Sequence, residues 1–592
     1  MRKRQMFKFN RQFRSSSLLL WISGKFLPFS RMLFCVFLIA TCITISHCVR
    51  KNPAEADLDT HNTGILTGYV RDAEGPIKGA IVRVQATEKY VTTNDSGQFT
   101  LTGLQTTDSV KITAWAKGYY ISGGKSYWPD SNELVLELYA HHTTDNPNYQ
   151  WISAYSSEGS ASNCQNCHAE PGIPDSNMPF DEWQQDAHGQ SAKNIRFLTM
   201  YLGTDINGNQ SPNTSFGYNR DYGTFPLPPN LDEPYYGPGY KLDFPSTSGN
   251  CGACHTPAAA INTPYSVNPS ELTGVHTEGV ACDFCHKVWD VKLNPATGLP
   301  YDNMPGVLSF EMRRPPEGHQ FFSGPLDDVA PGEDTFTPVQ KESRYCAPCH
   351  SAKFWDVEIY NSFGEWLESS YSDPQSGQTC QDCHMPSGLT DHFAKLDQGG
   401  LKRDSKNIVS HRMLGITDLN FMQNAVTVTS SAERQDSEIV VNIEIYNDRT
   451  GHHIPTDSPL RHMILLVQAF DEQGDPLIQT DGSILPDWCG IGDPDMGYYA
   501  GLPGKAYAKI LEELWTGVTP TGAYWNKTRL ASDNRIPALG RDQSTFSFSA
   551  QTNEKVTIDI QLIFRRAYIQ LMDWKSWDSP DILMAEQWHT VQ

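Results

Sequence analysis

Cys164-Gln165-Asn166-Cys167-His168, Cys251-Gly252-Ala253-Cys254-His255, Cys282-Asp283-Phe284-Cys285-His286, Cys346-Ala347-Pro348-Cys349-His350 and Cys380-Gln381-Asp382-Cys383-His384 repeat Cys-x-x-Cys-His five times between Asn163 and Pro386. Each run is the attachment signal of a c-type haem. Two thiols bond the porphyrin edge as thioethers, and the histidine that follows is placed to ligate the iron. The expectation is five covalently attached haems, held by these ten cysteines, with His168, His255, His286, His350 and His384 as proximal iron ligands. Paired cysteines also build zinc ribbons. A histidine after every pair, and an odd number of pairs, suit haem better.

Five porphyrins within residues 146–420 leave no room for separate globular pockets, so neighbours must share walls. First cysteines fall 31 residues apart in the second and third runs, and 34 apart in the fourth and fifth (282 minus 251, 380 minus 346). That spacing predicts two close pairs, with the first haem joining the row.

An iron held by one histidine either takes a second ligand, which favours electron transfer, or stays open to a substrate. The chain has 18 histidines. Outside the motifs, five of them are candidates for five sixth positions: His188, His276 just ahead of the third motif, His319, His411 and His452. His392 competes with His411, and His453 is the substitute for His452. His462 heads an apolar run and reads as a strand residue, and His141 and His142 as a linker.

The charge of -22 excludes nucleic acid and anionic membrane surfaces as partners, since both repel an acidic protein. Of the 14 cysteines, ten belong to the motifs, three (Cys35, Cys42, Cys48) to the leader, and Cys489 is left over as a buried free thiol, so no disulfide framework is available. Residues 1–48 read as an export leader: a basic start, then an apolar run from Met32 to Ile45, short for a membrane span. Cys48 is a candidate lipid anchor, although His47 before it is not the small residue that processing prefers.

Alternating runs at 65–70, 80–84, 98–101 and 110–114, separated by turn residues, predict a small β-sandwich at 60–142. Alternation returns at 425–429, 438–446, 463–470 and 555–564, and predicts a second sandwich at 421–592, whose Gly451 to Pro455 turn reaches back to a haem. A terminal helix is expected at 567–577. Asp205 to Asn209 resembles part of a calcium loop but lacks the later bidentate acid, which favours a plain Asx-Gly turn. The fold class expected is multidomain: two β-sandwiches flanking a mostly α/irregular multihaem cytochrome c domain at 146–420.

Two resemblances add to this. Gly68-Tyr69-Val70, Asp72, Gly75-Pro76, Gly79-Ala80, the Asp95 to Phe99 turn and Gly118-Tyr119 resemble the carboxypeptidase regulatory-like domain, which implies a spacer or adhesion unit without chemistry. Trp183 to His188, His276 to His286, and Glu365-Trp366-Leu367-Glu368-Ser369 ahead of Cys380 to Met385 resemble multihaem cytochromes of the cytochrome c-554 type. The second resemblance runs from about Gly159 to Pro537 and implies His188, His276, His411 and His452 as distal ligands.

Together these imply an exported pentahaem c-type cytochrome, periplasmic, outer-membrane-associated or at the cell surface, carrying electrons along bis-histidine haems. No catalytic residue is expected. Its partners would be redox proteins or an extracellular electron acceptor, with membrane anchoring through the leader or Cys48. A homo-oligomer or filament in which His141, His142 or His589 acts between chains is a further expectation. The alternative is a multihaem oxidoreductase acting on a small nitrogen or sulfur species at one open haem.

Overall fold

The computed structural model describes residues 63–157, 163–173, 176–302, 304–329 and 332–592; the expected leader lies outside them. It shows a multidomain, sheet-rich chain with an N-terminal sheet domain, a mostly irregular and helical middle, and a large sheet region at the end.

Strand Thr63–Arg71 alternates buried and exposed residues along its length, the signature of a strand with one face in a core. It sits between Gln98–Gln105 (antiparallel) and Leu134–Glu137 (parallel). A second sheet runs in the order Tyr90–Thr92, Ile81–Val84, Val110–Trp115, Ser122–Tyr127. Leu66, Val70, Phe99 and Leu101 from the first sheet meet Val82, Ile112 and Ala114 from the second in one core.

This module is fastened to the middle of the chain. Ile121 N–H donates to Asp334 O at 2.8 Å, Trp115 Nε1 to Thr335 Oγ1 at 3.1 Å and Tyr120 OH to Gln320 O at 2.8 Å. Arg83 pairs with Asp327 at 2.7 Å. His141 and its neighbour were expected in a linker. Instead His141 is 5% exposed and packs edge-on against Tyr120, Trp289 and Phe321.

The C-terminal region is a two-sheet sandwich. One sheet runs Thr427–Gln435, Glu438–Tyr446, Arg541–Ser549, Gln479–Asp481; the other runs Thr528–Asp533, Gly504–Glu513, His462–Phe470, Val556–Arg565, Ile582–Val591. Ile439, Val441, Ile443 and Ile445 on the first face Met463, Leu465, Val467, Ile558 and Ile560 on the second. Fully burying one such side chain is worth about 1.5–3 kcal/mol, so this core is rigid enough to hold a turn in place at its edge.

The helix Ile569–Lys575 lies inside the expected span. It ties the sandwich to the middle: buried Lys575 donates through Nζ to Thr199 O, Thr204 O and Pro238 O at 2.6–3.1 Å. Cys489 is buried, and His462 begins a strand with its ring stacked on Tyr568. The Asp205 carboxylate is saturated by Asn207 and Asn209 within its own turn.

Between the sandwiches, helices are short, and Ile195–Leu202 is the longest among the described ones there. Among the described residues no helix is long and apolar enough to cross a membrane.

Candidate haem-binding site

The five motifs form short helical turns: Cys164–His168, Gly252–His255, Cys282–Cys285, Ala347–His350 and Cys380–His384. One turn puts both cysteines and the following histidine on adjacent positions of the same surface. The motifs all open onto one cavity of about 1940 Å³, whose walls include all ten motif cysteines and all five motif histidines. Ordinary small-molecule pockets span roughly 300–1,000 Å³, so this space suits several flat cofactors in contact.

Of the two expected close pairs, the fourth and fifth motifs meet thiol to thiol, whereas the second motif meets the fourth in this way and not the third. Thiol contacts join Cys164 to Cys282, Cys254 to Cys349 and Cys346 to Cys380. Tyr345 OH donates to Cys285 O at 3.0 Å and links the third motif to the fourth. The fourth motif is therefore the hub. The second and third motifs still share one hydrophobic cluster, through Ala253 of the second and Phe284 and Cys285 of the third.

Three of the five expected distal histidines, His188, His411 and His452, line the same cavity. A metal–imidazole bond of about 2 Å on each side, plus half of each ring, places two ring centroids roughly 6 Å apart across one metal. The rings of His384 and His452 stand 6.3 Å apart, 18° from parallel, and those of His188 and His350 stand 6.3 Å apart at 66°. His411 neighbours His286 and His168; burial, then these two rings, push its pKa down to about 4.

The ring orientation is set by hydrogen bonds at Nδ1, which leave Nε2 for a metal. Nδ1 donates to Phe393 O in His168 (2.7 Å), Ser323 O in His286 (2.6 Å), Leu414 O in His384 (2.5 Å) and His453 O in His452 (2.8 Å). His188 Nδ1 donates to the Asp186 carboxylate at 2.8 Å. Burial depresses His255 and His384 to about 4, which keeps them in the neutral, ligating form. His350 differs: burial pushes it down, but the Asp457 carboxylate, 3.8 Å from Nδ1, raises it overall. Asp457 itself is held below its ordinary value, His350 and Arg461 outweighing its burial.

Three buried carboxylates that sequence reasoning left without a role hold the distal histidines. Asp186 accepts from His188 N–H and Nδ1 on one oxygen and from Met413 N–H (3.1 Å) on the other. Glu182 accepts from His411 N–H at 2.6 Å; burial raises its pKa, against the pull of that bond. Glu365 pairs with Arg535 at 2.7 Å and accepts from His453 N–H and the Thr456 hydroxyl, which fixes the turn carrying His452. The signal for the first was present: an aspartate two residues ahead of a candidate ligand is the local pattern that orients an imidazole.

The Gly-Val of the third run also has a structural reason. Gly279 adopts φ +67°, and a Cβ there would meet His188 O at 2.4 Å. Val280 then accepts from Trp183 Nε1 at 2.8 Å and donates to His188 O at 2.9 Å. This stitches the first resemblance segment onto the second.

His276 and His319 lie elsewhere. His319 is exposed on a loop with its ring against His142 at 4.6 Å, and His276 is half-buried in Gly274–Thr277, off the cavity wall. His392 bonds Asp391 and Glu170, His453 faces Glu365, and His589 bonds Ser430. Among the described residues no three His, Cys, Asp or Glu side chains converge as a cage for a metal ion. A haem iron takes at most two protein ligands, one on each face, and the two imidazole pairs at 6.3 Å have the spacing for that arrangement.

The carboxypeptidase regulatory-like domain family matches residues 65–126, within the N-terminal sheet domain. No curated protein matches the chain. Among solved structures, a penta-haem cytochrome c552 from Thermochromatium tepidum is similar at 17% identity and a TM-score of 0.47, over 72% of this chain and 97% of that one. The PapD-like domain 7 of human CEP192 is similar at 9% identity and a TM-score of 0.12, over 29% of this chain and 86% of that one. The haem assignment is carried by the chain's own residues and not by these likenesses.

Proposed function

We propose that the chain is an exported pentahaem c-type cytochrome that carries electrons along a row of haems, in respiratory or extracellular electron transfer. One observation carries this: five Cys-x-x-Cys-His turns and three further histidines face one shared cavity, with two imidazole pairs at 6.3 Å. Iron held between two imidazoles takes up and releases one electron without needing a substrate position. The chain's part is to hold each porphyrin by two thioethers, orient His168, His188, His286, His384 and His452 through their Nδ1 bonds, and exclude water with buried walls.

On this reading His350 pairs with His188, His384 with His452, and His286 with His411. The C-terminal sandwich belongs to the redox unit, since it supplies His452 and Asp457 to the cavity wall. Leader, docking partner and assembly follow the sequence expectations: export, a redox protein or extracellular acceptor as partner, anchoring through the leader or Cys48, and homo-oligomers or filaments.

A specific observation favours a second reading, an oxidoreductase acting on a small nitrogen or sulfur species. Among the described residues, His168 and His255 line the cavity without His276 or His319 beside them. Electron paramagnetic resonance of the oxidised, haem-loaded protein separates the two. The wire reading expects an entirely low-spin ferric spectrum; a high-spin signal worth one or two haems per chain favours the oxidoreductase.

A further inference from the structure

Arg196, Arg461 and Arg566 come from three distant parts of the chain and line the same cavity. Arg196 lies in the first turn of Ile195–Leu202, Arg461 directly precedes strand His462–Phe470, and Arg566 directly follows strand Val556–Arg565. Each is partly tethered. Arg196 donates to Ser579 Oγ at 3.0 Å, Arg461 to Thr456 O at 3.3 Å, and Arg566 to Ile416 O at 3.1 Å.

Their charges are not balanced. Asp457 stands 3.7 Å from Arg461, but among the described residues neither Arg196 nor Arg566 has a carboxylate within 4.0 Å. Arg566 Nε is buried without a hydrogen-bond partner. Burial, then Arg196 and Arg461, push Arg566 down to about 10, and burial and Arg461 lower Arg196. A guanidinium removed from water without a counter-ion is costly, and two such groups, Arg196 and Arg566, beside the paired Arg461 stand out in a chain with charge -22.

We propose that Arg196, Arg461 and Arg566 form an anion site on the cavity wall that takes a bidentate oxyanion, supplied by a bound porphyrin's carboxylate or by a free inorganic ion. The planar, five-donor guanidinium matches both chemistries. The next residue of the helix, Phe197, stacks on the His255 ring at 3.7 Å and 2°. The porphyrin source rests on the haem reading above; the free-ion source does not.

The test uses the full-length, haem-loaded protein, with haem counted by pyridine haemochrome and fold checked by circular dichroism. Wild type, Arg566→Gln, Arg196→Gln and the charge-keeping Arg566→Lys are compared. Sulfate, which does not ligate haem iron, is titrated calorimetrically, and the haems are titrated potentiometrically.

A free-ion site predicts sulfate binding at least tenfold weaker in both Gln variants and restored in Arg566→Lys. A porphyrin carboxylate predicts no sulfate binding, with one haem shifting to lower potential in the Gln variants and returning in Arg566→Lys. Absence of sulfate binding together with unchanged potentials in every variant overturns the proposal. A haem count of zero with sulfate binding retained would instead fail the haem reading and leave the anion site standing.

Discussion

Asp186→Ala is expected to convert one to two haems per chain from low-spin to high-spin while five haems stay attached. One buried carboxylate serves two ligands: Oδ1 holds the backbone and Nδ1 of His188, and Oδ2 holds Met413 N–H in the loop that carries His411. Removing it orphans three donors at a site where the side chain is 5% exposed. Each buried donor left unsatisfied costs about 1–3 kcal/mol, enough to turn the His188 ring away from its position opposite His350. The haem count is expected to hold, because the ten motif cysteines are untouched by the substitution. Asp186→Asn should be milder, since its carbonyl oxygen still accepts from His188 and the loss falls on Met413 N–H. A spin state unchanged in Asp186→Ala would show that the carboxylate does not set the ring.

Glu365→Ala is expected to have the largest effect on stability. Its carboxylate is 3% exposed beneath Arg535, itself 5% exposed. Deleting one partner of a buried ion pair costs about 3–5 kcal/mol because the other charge is left buried. Asp533, 2.8 Å from Arg535, limits that loss without covering the bonds to His453 N–H and the Thr456 hydroxyl. The turn bearing His452 then loosens, and the iron site of His384 loses its second imidazole. Urea titration followed at the haem absorbance band should show a lower midpoint, with a high-spin fraction appearing in the native baseline. Glu365→Gln keeps the shape and should fall between. An unchanged midpoint in Glu365→Ala would refute the role assigned to this pair.

Chemistry written locally was legible in the chain. A Cys-x-x-Cys-His turn carries its whole meaning in five residues. Glu438–Tyr446, with one buried face, announced itself by alternation, and His462–Phe470, buried along nearly its whole length, by its apolar run; both fall almost where the sequence puts them. Gly504–Glu513 did not, because it is buried on both faces and does not alternate, and neither did Ile582–Val591, an edge strand with Met584 as its single buried residue.

Positions that depend on distant partners were not legible. Glu182 and Glu365 gave no signal, because their partners His411 and Arg535 lie 229 and 170 residues away, and the long-range half of the Asp186 role, its bond to Met413 N–H 227 residues away, was hidden in the same way. The fourth and fifth motifs meet as their spacing suggests, but the thiol contacts that join the first motif to the third and the second to the fourth have no signal in the spacing. The N-terminal module reads as a spacer, yet its docking segment reaches the histidine of the third motif. Ile121 bonds Asp334, strand Asp334–Phe336 pairs with Phe322–Gly324, and Ser323 accepts from His286 Nδ1.

The central claim is that the shared cavity holds one haem on each Cys-x-x-Cys-His turn. A pyridine haemochrome assay on the purified full-length protein, normalised to amino-acid analysis, tests it most directly. Five haems per chain, resistant to acid-acetone extraction because they are bound through thioethers, is the predicted result. A count of zero, with zinc found in their place by elemental analysis, would contradict it.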